Sequence, residues 1–141
     1  MKKMIPKTMI SRTSARNSLY KAIQNQTRYM TGNSMEDLSF GDICLLKFPF
    51  ANGTSHKKRP VLVLLDTQDN DIIVCRITSR MYHTKYDFQV INWTEAGLKL
   101  PSVIRLHKIA TLEKKLVYKK LGKINESLKR QIKNSFNQII R

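Results

Sequence analysis

The chain has 141 residues, enough for one domain of ordinary size with a short extension. It holds 26 Lys and Arg residues against 10 Asp and Glu residues, a formal net charge of +16. Such a charge favours polyanionic partners: nucleic acid first, then an acidic protein, then an anionic membrane surface. The 41% hydrophobic content argues against wholesale disorder, and no apolar run approaches the roughly 18 residues of a membrane-spanning helix.

Residues 1–38 differ in composition from the rest of the chain. They are rich in Ser, Thr, Asn, Lys and Arg, and they lack the apolar segment of a secretory signal. We expect a basic N-terminal extension that is flexible or partly helical, with a thin apolar stripe over residues 14–29. A transit peptide is the alternative interpretation, and it rests on composition alone.

After residue 40 the pattern predicts short strands joined by turns. Gly41-Asp42 signals a turn before a first strand over 43–48, and Asn52-Gly53 lies at the centre of the loop that follows. Further strands are predicted over 60–65, 72–78, 86–91 and 102–109. A helical turn over 93–98, stopped by Gly97, is expected between the last two strands.

The clearest local pattern is a final helix that begins after Asn125. This residue is a suitable N-cap, and Glu126 in the first turn complements the helix dipole. The apolar residues that follow recur at helical spacing and form one stripe, which we expect to pack on the sheet: Leu128, Ile132, Phe136, Ile139 and Ile140. The order of elements predicts a mainly β domain over 39–141, a small barrel closed by one C-terminal helix.

The cysteine pattern indicates the cellular compartment. Cys44 and Cys75 lie in apolar, strand-like stretches, which is typical of reduced core thiols in a cytoplasmic protein. No Cys/His cluster has the spacing of a zinc site, so we expect neither a metal nor another cofactor.

The stretch Lys57-Lys58-Arg59 brings three cations in front of Pro60 and the second predicted strand. Proline is best tolerated at the first position of a strand, where its missing N–H costs least. We therefore expect a short basic loop that holds Arg59 at the end of a sheet, an arrangement suited to phosphate binding. A solvated basic turn is the alternative interpretation.

Four motifs in order resemble the successive signatures of MazF/PemK-type toxins. They are Gly41-Asp42-Ile43 with Phe48-Pro49-Phe50, Lys58-Arg59-Pro60-Val61-Leu62-Val63, Ile77-Thr78-Ser79, and Leu100-Pro101-Ser102-Val103-Ile104-Arg105-Leu106 with Thr111-Leu112-Glu113. The match runs from about residue 40 to the end of the chain. The resemblance implies an SH3-like β-barrel of the MazF/CcdB type with a C-terminal helix, usually a homodimer, that acts as the toxin of a type II toxin–antitoxin system.

The resemblance also implies an activity and a site. Such toxins cleave single-stranded RNA at a short sequence without a metal: the ribose 2′-OH attacks the adjacent phosphate and leaves a cyclic phosphate and a 5′-OH end. The Arg of the Arg-Pro motif falls on Arg59, and the Thr that ends the third strand falls on Thr78. Arg105 matches a basic position in some members. His107 stands where an acidic residue is common, which leaves the acid and the base unassigned.

Elementary chemistry supports these roles. Phosphodiester cleavage builds negative charge on the non-bridging oxygens, which the fork of Arg59 can bind bidentately, and such a donor can be worth about 3–4 kcal/mol of barrier. An arginine cannot act as the base, which must be water, the RNA or a histidine such as His107, on the strand face of Arg105. Candidate substrate contacts are the surrounding polar residues: His56, Lys57, Lys58, Arg76, Ser79, Arg80 and Arg105. Tyr82 and Trp93 are candidates for base stacking, although a tryptophan is more often a core residue.

Two other classes of function stay open. One is a non-cleaving basic barrel that binds nucleic acid or inhibits a protein, as CcdB-like relatives of this fold act on gyrase. The other is a pure interaction role, in which the basic surface receives an acidic partner. Toxins of the MazF type are held silent by an antitoxin whose acidic, disordered segment lies in the RNA groove, and we expect such a partner here.

Overall fold

The computed structural model describes residues 37–49 and 56–140. Within these residues, six strands and one helix follow one another: β1 (Asp42–Pro49), β2 (His56–Asp66), β3 (Asp71–Thr78), β4 (Asp87–Val90), β5 (Ser102–Glu113), β6 (Val117–Lys123) and α1 (Glu126–Ile139). A single 3-10 turn, Lys114–Leu116, joins β5 to β6. The predicted N-terminal extension and the predicted Asn-Gly turn lie outside the described residues.

All paired strands are antiparallel, and their order in the sheet is β4-β5-β3-β2-β1-β6. The predicted mainly β class with a C-terminal helix is confirmed. Within the described residues no ladder joins β4 to β6, so the predicted barrel is loose rather than closed. Instead of pairing, the turn after β4 packs closely against β6. A Cβ atom on Gly122 of β6 would lie only 2.4 Å from the carbonyl oxygen of Ala96 in this turn.

Apolar side chains are buried on both faces of the central strands. One cluster includes Ile43, Leu62 and Ile104 and packs against α1, while the other includes Leu46 and Val63 on the opposite face. Because both faces are covered, consecutive residues of β2 are buried, which explains its unbroken apolar run.

The helix α1 begins as predicted. The side chain of Asn125 accepts a hydrogen bond from the backbone N–H of Leu128 at 2.8 Å, and Leu128 and Ile132 are buried. The predicted stripe packs only in part, because Ile139 lies in the last turn and Ile140 beyond the helical end, and both are exposed. Within the described residues, no helix is long and apolar enough to cross a bilayer.

The strand β2 begins earlier than the proline rule predicts. His56 is its first residue, and the cationic run pairs with β1, with Lys58 opposite Lys47 and Arg59 opposite Leu46. The prediction of a basic loop before Pro60 is therefore wrong. The ladder between β2 and β3 starts only at Val61, so Pro60 lies where pairing on that side ends, and a proline is tolerated there.

The C-terminal half of the sheet also differs from the prediction. β5 continues to Glu113 and contains an irregularity between the pairs Arg76–Arg105 and Cys75–Ile109. β6 was not predicted, because its sequence is basic and lacks an apolar alternation. The predicted helical turn stopped by Gly97 is confirmed: the N–H of Ala96 donates to the carbonyl of Asn92 at 3.0 Å, the N–H of Leu98 donates to that of Trp93 at 2.9 Å, and Gly97 has a φ of +88°.

Cys44 and Cys75 are buried and unbonded, as predicted. Burial raises the pKa of Cys75 to about 12. Burial, assisted by the nearby carboxylate of Asp42, raises the pKa of Cys44 to about 11. Both thiols therefore stay protonated at neutral pH and behave as apolar core groups.

Candidate active site

A cleft of about 620 Å³ opens where β2 begins and β3 ends. Arg59 and Thr78 both line it. The ladder between β2 and β3 ends at the pair Val61–Arg76, and Arg59 and Thr78 each lie two residues beyond it at the same end of the ladder. The structure therefore brings together the two residues that the sequence singles out for catalysis, and it leaves Arg59 half-buried rather than fully solvent-facing.

The walls of the cleft carry positive charge. Its cationic lining residues are Lys57, Lys58, Arg59, Lys99 and Lys119. Among the described residues that line it, none carries a carboxylate or an imidazole. Uncompensated cations in a concave site concentrate anions, so the cleft suits a polyanionic ligand.

The turn after β3 holds the hydroxyl group of Thr78. Its Oγ1 accepts a hydrogen bond from the backbone N–H of Arg80 at 3.2 Å, which is a short local turn of the kind that serine and threonine form. The hydroxyl proton is not used in this bond, so it can be donated to a phosphate oxygen in the cleft. Ser79 lines the cleft beside it.

Arg105 and His107 do not line the cleft. They belong to a second group at the β4–β5 edge, the Arg105 cluster, defined as Tyr82, Tyr86, Asp87, Arg105 and His107. The Arg105 Nε donates to Asp87 Oδ1 at 2.9 Å, and the guanidinium carbon lies 3.6 Å from the centroid of the Tyr82 ring. Arg105 is only 8% exposed, so its charge is engaged inside the protein.

The carboxylate of Asp87 ties the loop before β4 to this cluster. Its side chain is fully buried, and Thr84 donates to Oδ2 from its backbone N–H at 2.9 Å and from its hydroxyl at 2.7 Å. Burial acts to raise the pKa of Asp87, but the hydrogen bonds from Thr84 and Arg105 outweigh it and lower that pKa. The group is therefore a charged anchor rather than a candidate acid at neutral pH.

His107 is exposed beside this ion pair. Its Nε2 lies 3.4 Å from Arg105 Nη2, and its ring centroid lies 5.6 Å from that of Tyr86. The predicted acid or base role of His107 stays a prediction. Arg76 and Arg80 are exposed and do not line the cleft, while Lys57 and Lys58 do; the side chain of His56 lies outside the described residues.

Trp93 and Tyr82, the candidates for base stacking, both have rings in contact with other groups of the protein. Trp93 is half-buried against the core cluster that faces α1, and the guanidinium of Arg105 lies against the ring of Tyr82. The sequence reasoning missed Lys99, Tyr118 and Lys119, which line the cleft. The basic and aromatic run Tyr118-Lys119-Lys120 was the available signal, but its place beside Arg59 depends on strand pairing.

Potential metal ligands are scattered in this fold. Among the described residues, no group of three His, Cys, Asp or Glu side chains is placed to hold a metal ion. Cations and hydroxyl groups are instead the chemistry of the cleft.

The fold and the cleft define a small basic β protein with a concave, cation-lined cleft. A model of the PemK-like, MazF-like toxin family of type II toxin–antitoxin systems matches residues 39–140. The chain belongs to this family.

Solved structures share the fold. The MazE–MazF complex from Deinococcus radiodurans matches with a TM-score of 0.61 at 16% identity, over 73% of this chain and 95% of that chain. The Mycobacterium tuberculosis toxin MazF-mt6 matches with a TM-score of 0.56 at 19% identity, over 69% and 93%. An endoribonuclease in complex with its cognate antitoxin, from a mycobacterial species, matches with a TM-score of 0.57 at 14% identity, over 72% and 93%. No curated protein sequence matches the chain significantly.

Proposed function

We propose that the protein is a toxin that acts as a metal-independent, sequence-specific endoribonuclease on single-stranded RNA. The observation that carries the proposal is the shared cleft: Arg59 and Thr78, the two residues matched to the catalytic motifs of the family, line one cation-walled groove. Family membership and the fold of a neighbour named as an endoribonuclease support the same activity.

The reaction follows from the charges in the cleft. The 2′-oxygen of a ribose attacks the adjacent phosphorus, the bond from phosphorus to the 5′-oxygen breaks, and a cyclic phosphate and a 5′-OH end result. Arg59 binds the non-bridging oxygens, and its two parallel N–H bonds strengthen as negative charge develops there. Thr78 donates its hydroxyl to the same oxygens. Because arginine supplies the charge, the step does not depend on a metal ion.

Proton transfer completes the reaction. The 2′-OH loses its proton to a base, and the leaving 5′-oxygen gains one from an acid. The described cleft lining holds no imidazole or carboxylate, and His107 lies in the Arg105 cluster, so water, the RNA itself or His56 serves these steps. Lys57 and Lys58 hold the flanking phosphates, which gives affinity without base preference.

The same cleft accounts for regulation by an acidic partner. A cognate antitoxin with an acidic, extended segment would fill the groove and neutralise its cations, in keeping with the +16 charge of the chain. We place this toxin–antitoxin pair in the cytoplasm and the toxin in a homodimer. Co-purification of an acidic protein at native expression levels tests the pairing, and a toxin that elutes alone would contradict it.

A second candidate is a barrel that binds RNA without cutting it. The lack of a carboxylate or an imidazole among the described lining residues favours this candidate, because a general base is then not at hand. Cleavage itself separates the two candidates, since only the nuclease produces new 5′-OH ends.

The decisive experiment incubates mixed-sequence RNA with the purified protein in EDTA and maps the new 5′-OH ends. We expect Arg59→Ala to lower the cleavage rate by about 10²- to 10³-fold. Arg59→Lys should recover only a part of the rate, because a lysine keeps the charge but loses the bidentate fork. Arg130→Ala is the matched control, since Arg130 is an exposed arginine on α1.

The outcomes separate the hypotheses. New 5′-OH ends that depend on Arg59 but not on Arg130 support the nuclease. RNA binding without new ends would leave the non-cleaving barrel. An Arg59→Ala variant that is folded and as active as wild type would remove this residue from the mechanism.

A further inference from the structure

Tyr118 is the aromatic residue among those that line the cleft in the described part of the chain. It is 55% exposed, although a tyrosine ring gains free energy when it is buried. A large aromatic surface that stays open inside a concave, cationic site is available for a ligand. Trp93 and Tyr82 differ from it, because both are only partly exposed and neither lines the cleft.

The backbone places Tyr118 there through an irregularity of β6. Val117 pairs with Leu46 and Lys119 pairs with the next residue, Leu45, so Tyr118 is the extra residue of a β-bulge. Bulges break the strict alternation of a strand and re-aim a side chain, and they are frequent next to active sites. Tyr118 and Lys119 can therefore both line the cleft, although they are consecutive in one strand.

A lysine of the catalytic stretch holds the ring. The Nζ of Lys58 lies 3.7 Å from the centroid of the Tyr118 ring, a cation–π contact between β2 and β6. Lys58, Arg59 and Tyr118 line the same cleft, so the aromatic surface shares that cleft with the group proposed to bind the scissile phosphate. A cationic track beside an aromatic surface is the arrangement by which proteins hold single-stranded nucleic acid.

We propose that Tyr118 stacks one unpaired nucleobase of the RNA beside the phosphate held by Arg59. The inference rests on the proposed function and deepens it, because stacking requires a base that is free of a partner strand and therefore selects single-stranded RNA. Lys58 covers one face of the ring, so the base stacks on the opposite face, and the charge of Lys58 attracts the phosphate that neighbours the stacked base. Tyr118 thus contributes to the choice of cleavage site, whereas Arg59 drives the chemistry.

Binding to a probe that cannot be cut tests the inference. The probe is a mixed-sequence 2′-O-methyl RNA about 12 nucleotides long, with its affinity measured by fluorescence anisotropy. We expect Tyr118→Ala to weaken binding by about 5- to 100-fold, the range for the loss of one stacked base. Tyr118→Phe keeps the ring and should stay within about twofold of wild type, which shows that the aromatic surface and not the hydroxyl matters.

A second probe separates stacking from charge. An oligomer of the same length with abasic riboses keeps the phosphates and removes the bases. Wild type and Tyr118→Ala should bind this probe equally, because the remaining contacts are electrostatic. Thermal unfolding of each variant shows whether the substitution disturbs the fold. If the Ala variant unfolds, Tyr118→Leu takes its place, because leucine keeps an apolar side chain but has no ring to stack on a base.

The outcomes distinguish this inference from the proposed function. If wild type cleaves RNA and Tyr118→Ala binds the 2′-O-methyl RNA as tightly as wild type does, the stacking role is overturned and the nuclease remains. If Tyr118→Ala loses affinity for the 2′-O-methyl RNA but not for the abasic probe, and wild type does not cleave RNA, stacking is supported and the nuclease is overturned. An equal loss on the abasic probe would show that Tyr118 only maintains the cleft, and that would also overturn the inference.

Discussion

Replacing Arg105 by methionine should destabilise the fold by about 3 kcal/mol, at the lower end of the cost of breaking a buried ion pair. The substitution leaves the carboxylate of Asp87, whose side chain is fully buried, without its cationic partner. Methionine keeps much of the length and the contact with Tyr82, so the lost charge dominates the effect. The two hydrogen bonds from Thr84 remain and hold the cost near the lower end.

The assay is urea unfolding followed by the fluorescence of Trp93, the single tryptophan of the chain, which is half-buried against the core. Arg130→Met is the matched control: that arginine is exposed on α1, and we expect a change within about 0.5 kcal/mol. The double variant Arg105→Met with Asp87→Asn should recover a part of the loss, because it no longer buries an unpaired charge.

The pH dependence has a definite sign. The pKa of Asp87 is lowered in the folded state, chiefly by hydrogen bonds from Thr84 and Arg105 that overcome the effect of burial. A carboxyl group whose pKa is lowered by folding stabilises the fold at pH values above its pKa in the unfolded chain, which is about 4. That contribution is lost as the pH falls through its pKa in the folded state. The difference in stability between wild type and Arg105→Met should therefore be full at neutral pH and shrink below about pH 4.

One result would refute this reasoning. If Arg105→Met is as stable as wild type and instead loses RNA binding, the guanidinium serves the substrate and not the fold. The Arg105 cluster would then belong to the RNA-binding surface, as the sequence resemblance implies.

Two further predictions concern the backbone and the core. Gly97→Ala should cost more than about 2 kcal/mol, because Gly97 has a φ of +88° and its new Cβ would lie 2.1 Å from the carbonyl oxygen of Leu121; a urea midpoint equal to that of wild type would contradict this. Cys44 and Cys75 should resist iodoacetamide in the native protein at neutral pH and react only on unfolding, since burial keeps both thiols protonated; mass spectrometry that finds rapid native labelling would disprove their inertness.

Local patterns predicted the elements that carry their own signal. The capped helix α1 and the apolar strands β1, β2 and β3 were located from the sequence, because cap chemistry and apolar runs act over a few residues. The predicted start of β2 was wrong. The prediction used only the preference of proline for the first position of a strand, whereas β2 continues to pair with β1 on the N-terminal side of Pro60, back to His56. β6 was missed, because an edge strand that is basic becomes a strand through its pairing with β1 and not through its own pattern.

The sequence by itself determined the class of fold, the family resemblance and the positive charge of the chain, and it led to the prediction that Arg59 and Thr78 act together. Only the tertiary structure decided that Arg105 is paired with Asp87 away from the cleft, and that Tyr118 lies in the cleft against Lys58. The physical reason is that such contacts depend on strand register and on a bulge. Both are set by the packing of segments far apart in the chain, and no local window of residues contains that information.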